Sequence, residues 1–158
     1  MVVRRFDTGA APQIIRAARR DAGLTQARLA ERAGLRQPSL AQMESGKRPV
    51  SDEMLERILR AADYRPSIPL ATHADEIIAR ARVYGLSNLR VFGSALRGED
   101  TYDSDIDLFV TPAPSTDLFD LARFVAEVEA LTGFPVEAVA DTNVPEVLKD
   151  ALREAVPL

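Results

Sequence analysis

Val91–Val110 reads VFGSALRGEDTYDSDIDLFV, and its two short apolar runs, separated by a polar stretch with two glycines, set the fold. Leu89, Arg90, Val91 and Phe92 carry the bulk and branching of a strand. The strand breaks at Gly93, where the missing Cβ lets backbone N–H groups come close to a ligand. Ser94 adds a hydroxyl, Arg97 a planar cation suited to phosphate, and Gly98 a second turn before the polar run Glu99–Ser104. In the strand that follows, Ile106, Leu108 and Val110 alternate with Asp105, Asp107 and Phe109. A period of two sends both carboxylates to one face, roughly 6–7 Å apart, and aims them at the Gly-Ser turn.

Like charges at that spacing repel unless a cation lies between them. The chain has no cysteine and one histidine, so ligation rests on oxygen, which favours hard cations, Mg²⁺ first and Mn²⁺ second. Two such ions roughly 3.5–4 Å apart can bridge a triphosphate and clamp both oxygens of an in-line displacement. The chemistry implied is nucleotidyl transfer.

Gly93-Ser94, ten residues, then Asp105-Ile106-Asp107 resembles the signature of the DNA polymerase β-like nucleotidyltransferases. The fuller string GSALRGEDTYDSDIDL is most similar to their minimal nucleotidyltransferase branch. The resemblance implies a small α/β domain with a short mixed sheet flanked by helices. It also implies that Gly93 and Ser94 grip the triphosphate of ATP, with Arg97, Gly98 and Ser104 beside the nucleotide. Asp105 and Asp107 would hold the metals, and a third carboxylate on a later strand would ligate a metal and activate the attacking hydroxyl. Gly133-Phe134-Pro135 turns into a short strand, Val136–Ala140, in which Glu137 lies on the face opposite Val136 and Ala138. Glu137 therefore stands where the family usually has aspartate, one methylene longer, with a plain surface glutamate as the competing reading. Leu96 stands where the branch often has alanine.

Length and composition set wider bounds. With 158 residues, 46% hydrophobic and 28% charged, the chain has room for one domain or two small ones. No apolar run approaches the roughly 20 residues of a membrane span. Met1–Ala10 lacks a signal-peptide pattern, so the expected home is the cytoplasm, with no membrane partner. The absence of cysteine excludes a disulfide framework and a thiolate zinc site. Met1–Ile68 carries a charge of +5 (13 Lys/Arg against 8 Asp/Glu) and Pro69–Leu158 a charge of −9 (7 against 16). Contact with a phosphate backbone thus falls to the front half.

Within that half, Gln13–Ala22 is a helix candidate with Ile14, Ile15, Ala18 and Ala22 on one side, ending at Gly23. Thr25 can cap a helix over Gln26–Ala33, which ends at Gly34. The next helix begins near Arg36 or Gln37, since Pro38 is tolerable only in a first turn. Ser51 can cap a last one over Asp52–Ala62. The string GLTQARLAERAGLRQPSLAQMESGKRPVSDEMLERIL resembles the XRE/phage-repressor helix-turn-helix family. That resemblance places the third helix in the major groove of a double-stranded operator. Gln37, Ser39 and Gln42 would then face base edges, Arg36 bases or phosphate, and Gln26 and Lys47 phosphate. A helical bundle used only for protein contact is the competing reading. Arg4 and Arg5 are expected either to fray or to form an arm toward DNA.

The fold class expected is α+β: an all-α helix-turn-helix bundle over residues 1–65, a linker over 66–71, and the nucleotidyltransferase domain over 72–158. The two prolines of Tyr64–Leu70 predict a stiff, extended connection. After it, Ala74–Tyr84 reads as a helix, with His73 at its start in a capping or surface role. Ser115 or Thr116 can cap Asp117–Leu131, whose Leu118, Leu121, Val125, Val128 and Leu131 form a stripe for the sheet. A final helix is expected over Val144–Ala155. Tyr102 is expected as an exposed loop tyrosine, with self-modification as its functional alternative.

Fewer than about 90 residues follow the linker, too few to add a domain for an acceptor. The minimal-nucleotidyltransferase likeness implies an antitoxin that transfers AMP from ATP to a tyrosine of a HEPN-type ribonuclease toxin. The helix-turn-helix would add repression of its own operon, and two-fold operators imply a homodimer. Two alternatives stay open. One is a transcription regulator whose rear domain senses nucleotide or is inactive, and the other is a transferase acting on an aminoglycoside-like small molecule.

Overall fold

The computed structural model describes residues 4–158; the first three residues of the expected front domain and of the Met1–Ala10 stretch lie outside them. After a 3-10 turn at Thr8–Ala10 come four helices: α1 (Ala11–Asp21), α2 (Gln26–Ala33), α3 (Gln37–Glu44) and α4 (Asp52–Ala61). Local chemistry sets their ends. The Thr25 hydroxyl accepts from Arg28 N and the Ser51 hydroxyl from Met54 N, while Gly34 closes α2 in the left-handed region at φ 67. Pro38 sits in the first turn of α3. α1 starts at Ala11, two residues earlier than expected, and Ala22 lies exposed beyond its end instead of in its core stripe.

Ile15, Ala18, Leu29, Leu40, Leu55 and Ile58 fill the space between these helices. One charge is buried with them. Glu44 is 3% exposed, and Arg19 donates to both of its oxygens, with Nη2 2.6 Å from Oε1 and Nε 3.0 Å from Oε2. Burial pushes the Glu44 carboxyl up, yet the hydrogen bonds and charge of Arg19 outweigh it and hold the group below its ordinary value. The pair locks α1 to the end of α3.

The expected extended linker is a helix instead. α5 (Ser67–Thr72) follows Pro66 directly, and Pro69 falls in its first turn, where a missing N–H costs nothing. Pro69 and Leu70 are buried, so the connection is part of the core.

Beyond it come α6 (Ala74–Val83), β1 (Leu86–Phe92), α7 (Gly93–Arg97), β2 (Ile106–Pro112), α8 (Leu118–Thr132), β3 (Val136–Ala140), α9 (Lys149–Glu154) and β4 (Val156–Pro157). The sheet order is β3-β2-β1-β4. β1 runs antiparallel to β2 and β4, and β2 parallel to β3, with α8 as the crossover. Ile106, Leu108 and Val110 turn one face of β2 into a core shared with Ile77 and Ala81 of α6 and with Phe124 and Val128 of α8. The opposite face carries Asp107 and Phe109. β1 is longer than Leu89–Phe92, and the expected single C-terminal helix is a short 3-10 turn at Glu146–Leu148, opened by Pro145, followed by α9.

Two features of α8 differ from expectation. Its cap is Asp117, which accepts from Asp120 N while Asp120 accepts from Asp117 N; Thr116 instead donates to the carbonyls of Tyr84 and Gly85. Leu118 is 82% exposed beside Phe119 at 74%, and the buried stripe runs through Phe124 and Val128.

The two halves share one core. Phe6, Tyr64, Tyr102 and Phe134 form a cluster with ring centroids 5.6–6.4 Å apart where they meet. Tyr102 is 2% exposed, with its hydroxyl buried and without a partner, so it is neither an exposed tyrosine nor an available acceptor. Arg5 neither frays nor reaches for DNA: its Nε donates to Gly133 O at 2.8 Å and its Nη2 to Tyr102 O at 3.0 Å. No helix among the described residues is long and apolar enough to cross a membrane.

Candidate active site

Asp107 organises the site, because three elements converge on it. On β2 it stands opposite Phe92 of β1, and in the parallel ladder it stands level with Glu137 of β3. Partners in register project to the same side, so Glu137 joins Asp107 on the carboxylate face, as the strand reading required. Phe92 and Phe109 lie on that face too, stacked at 4.1 Å between centroids, and supply an apolar floor beside the carboxylate. Burial, then the charges of Glu137 and Asp105, push the Asp107 carboxyl up to about 6, against a smaller opposing pull from Arg97. Asp105 precedes β2 and is exposed, as is Glu137.

The Gly-Ser turn meets this carboxylate at very close range. Gly93 has φ +73, and a Cβ on it would lie 2.1 Å from Asp107 Oδ2. Only glycine leaves room for the Asp107 side chain there. Gly93 and half-buried Ser94 open the single turn α7, which Gly98 ends in the left-handed region at φ 68. Arg97 is exposed on that turn, and its Nε lies 2.8 Å from Glu99 Oε2. Glu99 raises its pKa, so a phosphate would have to displace an existing partner. Ser104 is occupied within its own loop, where its Oγ accepts from Thr101 N at 2.9 Å.

Among the described residues no three acidic or imidazole side chains are gathered into a group that could hold a metal ion by themselves. The donor chemistry still fits a hard divalent ion. Asp107 and Glu137 are all-oxygen donors on one face of adjacent strands, with Asp105 just before β2, and their mutual repulsion is visible at Asp107. Mg²⁺ is commonly held by one or two carboxylates together with substrate phosphates, so a complete protein cage is not needed. Volume alone would mislead here. A groove of about 680 Å³ runs between the halves past Arg5, Asp103, Ser104 and Phe134, while the hollow touching Gly93, Leu96, Arg97 and Glu154 measures about 200 Å³. The candidate site is the smaller hollow, with Asp107 packed against its Gly93 wall.

Comparison with known proteins follows the same division. The profile of the family described as a nucleotidyltransferase domain matches residues 76–156, half of the chain. The chain belongs to that nucleotidyltransferase family. A helix-turn-helix profile matches residues 15–68, so a helix-turn-helix domain is fused in front of the nucleotidyltransferase domain. A protein from Thermococcus cleftensis named protein adenylyltransferase MntA is 33% identical over 88 residues, covering 55% of this chain and 86% of its own length. A Methanocaldococcus jannaschii protein, named as a candidate protein adenylyltransferase, is 35% identical over 74 residues, or 46% of this chain and 80% of that one. A solved structure described as a candidate minimal nucleotidyltransferase superposes with a TM-score of 0.55 at 33% identity, over 60% of this chain and 98% of that one.

In front of the nucleotidyltransferase domain, the helix-turn-helix unit exposes Arg36, Gln37, Gln42 and Lys47 and leaves Gln26 and Ser39 half-buried. Gln37 Nε2 donates to Gln26 Oε1 at 3.1 Å, which joins the starts of α2 and α3. Pro38 is exposed between them. What the sequence did not disclose is how the nucleotidyltransferase domain is held. Asp100, inside the loop from phosphate turn to carboxylates, is 4% exposed and bound to Arg65. A polar loop residue gives no local sign of such burial.

Proposed function

We propose that this chain transfers AMP from ATP to a tyrosine hydroxyl of a partner protein, a HEPN-type ribonuclease toxin, in the cytoplasm. The helix-turn-helix unit binds the operator of the same operon, and the chain acts as a homodimer on a two-fold site. The observation that carries the reading is the register of Asp107 with Glu137 beside Gly93, which supports two carboxylates and a Gly-Ser turn on one face of the sheet, with Asp105 just before β2. The names of the two archaeal relatives support a protein as the acceptor.

In this reading Gly93 and Ser94 bind the β- and γ-phosphates through backbone and hydroxyl donors, and Gly98 lets the chain leave the nucleotide. Arg97 leaves Glu99 for the phosphates and offsets the charge of the departing pyrophosphate. Asp105, Asp107 and Glu137 would hold Mg²⁺, or Mn²⁺, whose contribution is to neutralise triphosphate charge and polarise the α-phosphorus. Glu137 accepts the proton of the tyrosine hydroxyl. The tyrosine oxygen forms its bond to the α-phosphorus as the bond to pyrophosphate breaks, leaving AMP as a phosphodiester on the tyrosine. Ser104 keeps the approach to Asp105 in shape through its bond to Thr101.

The test is direct. The product of the neighbouring gene, incubated with this chain, ATP and Mg²⁺, gains the mass of one or more AMP groups, and Asp105→Asn abolishes the gain. Operator binding that responds to ATP with no mass change in that product would replace this reading with the regulator.

A further inference from the structure

The ten residues between Gly93-Ser94 and Asp105 decide whether phosphate turn and carboxylates face one another. That loop is held from outside its own domain. Both oxygens of Asp100 are taken by the segment joining the halves, Oδ1 by Arg65 Nη1 at 3.1 Å and Oδ2 by Ser67 N at 2.7 Å. Arg65 turns its other nitrogens to Asp21 at the end of α1, with Nε 2.9 Å from Oδ2 and Nη2 3.0 Å from Oδ1. One guanidinium therefore bridges the helix-turn-helix unit and the catalytic loop. Two residues further along, Tyr102 N donates to Asp63 Oδ1 at 2.9 Å, and Tyr102 O accepts from Arg5. Asp63 keeps φ 51 to do so, an uncommon conformation for a residue with a side chain. The exposed Arg60–Asp103 pair at 3.5 Å adds little.

We propose that Arg65 is a positioning residue of the transferase, and that through it the helix-turn-helix unit fixes the loop between the phosphate turn and the Asp105/Asp107 pair. The inference rests on the transferase reading above. The solved relative is covered over 98% of its length by 60% of this chain, so it has little room for a front domain of this size. In this chain the fused domain anchors that loop through Arg65. Physically, removing Arg65 leaves the Asp100 carboxylate buried without its cation, and the loop must open to hydrate it. Opening shifts both ends of the loop, and so the spacing of Gly93 from Asp105. Lysine does not replace the bridge, because a single ammonium lacks the planar fork that serves two carboxylates at once.

The experiment uses the full chain as wild type, Arg65→Gln and Arg65→Lys. Asp21→Asn is a milder variant that keeps the Arg65–Asp100 pair and carries the test if the others fail to fold. Hydrogen exchange over residues 99–107 and the affinity for ATP with Mg²⁺ are measured on folded protein. We expect faster exchange centred on this loop and ATP binding weakened about tenfold in Arg65→Gln. Arg65→Lys recovers part of that loss, and Asp21→Asn loses about threefold. Variants that melt earlier yet bind ATP like wild type overturn the proposal, since that is the mark of a purely structural pair. Wild-type protein that binds no ATP with Mg²⁺ overturns the transferase reading and this inference with it.

Discussion

At Gly93 the backbone lies at φ +73, and the space a Cβ would need is filled by Asp107 Oδ2 at 2.1 Å. Gly93→Ala therefore meets two penalties at one position: left-handed strain of about 1–2 kcal/mol and the displacement of a half-buried carboxylate. The displacement decides function. We expect ATP affinity in Mg²⁺ to fall well beyond what the change in stability accounts for, measured by calorimetry on folded variant. Asp107 carries the opposite trade. Its carboxyl is pushed up from an ordinary 3.8 to about 6 by burial and by Glu137 and Asp105, so in the folded protein it keeps its proton to higher pH than in the unfolded chain. Folding is thus least penalised below the unfolded value, and stability is lost as pH rises through about 6. Asp107→Asn removes the penalty, and under the proposed mechanism it also ends transfer. In chelator near pH 8 it should be more stable than wild type by about 1 kcal/mol, after discounting for solvent screening. Urea denaturation at about pH 8 and about pH 4 checks this: the gain must shrink toward the acid end, and an equal gain at both would point away from ionisation.

Elements whose limits are written locally were legible in the sequence. α2 begins after Thr25 and ends at Gly34, and β3 spans Val136–Ala140, both as the pattern alone predicts, because a hydroxyl cap, a left-handed glycine and a period of two act within a few residues. Alternation along β2 likewise sets Asp107 opposite the buried Ile106, Leu108 and Val110, while Asp105 falls just before the strand. α5 was not legible, because Pro66 and Pro69 look like breakers until the first is seen to precede the helix and the second to fall in its first turn. Tyr102 and Asp100 were not legible either, because the groups that hold them, Asp63 and Arg65, lie 39 and 35 residues upstream. The end of α8 shows how such a distant contact constrains an element. Gly133 closes α8 at φ +80, and a Cβ there would lie 2.4 Å from Phe6 Cδ1 and 2.7 Å from Arg5 O. A mutation at this helix cap should therefore be felt across the seam. Gly133→Ala is expected to cost about 2–3 kcal/mol, more than left-handed strain alone. A loss near 1 kcal/mol, with Phe6 unmoved, would mean that the N-terminal segment yields easily.

For the molecule as a whole, the question is whether two recognisable modules behave as two bodies or one. The charges suggest separation, with +5 on the front and −9 behind, but opposite charge across a seam also attracts, and Arg5, Arg60 and Arg65 all reach rear-domain groups. The buried residues form one continuous cluster from Ile15 through Tyr64 and Leu70 to Ile106 and Phe134. A shared core of this kind couples the unfolding of both halves. Wild-type protein should therefore melt in a single transition, with the helical signal in the far ultraviolet and the tyrosine signal in the near ultraviolet changing together. Phe6 is the place to break that coupling, since it is 5% exposed and touches Tyr64, Tyr102 and Phe134 at once. Phe6→Ala should cost about 3–4 kcal/mol and separate the two signals, the rear half melting first because the loop carrying Tyr102 loses the aromatic wall behind it. Two transitions already present in wild type would show that the seam is weak, and would also remove the physical basis for anchoring the loop through Arg65.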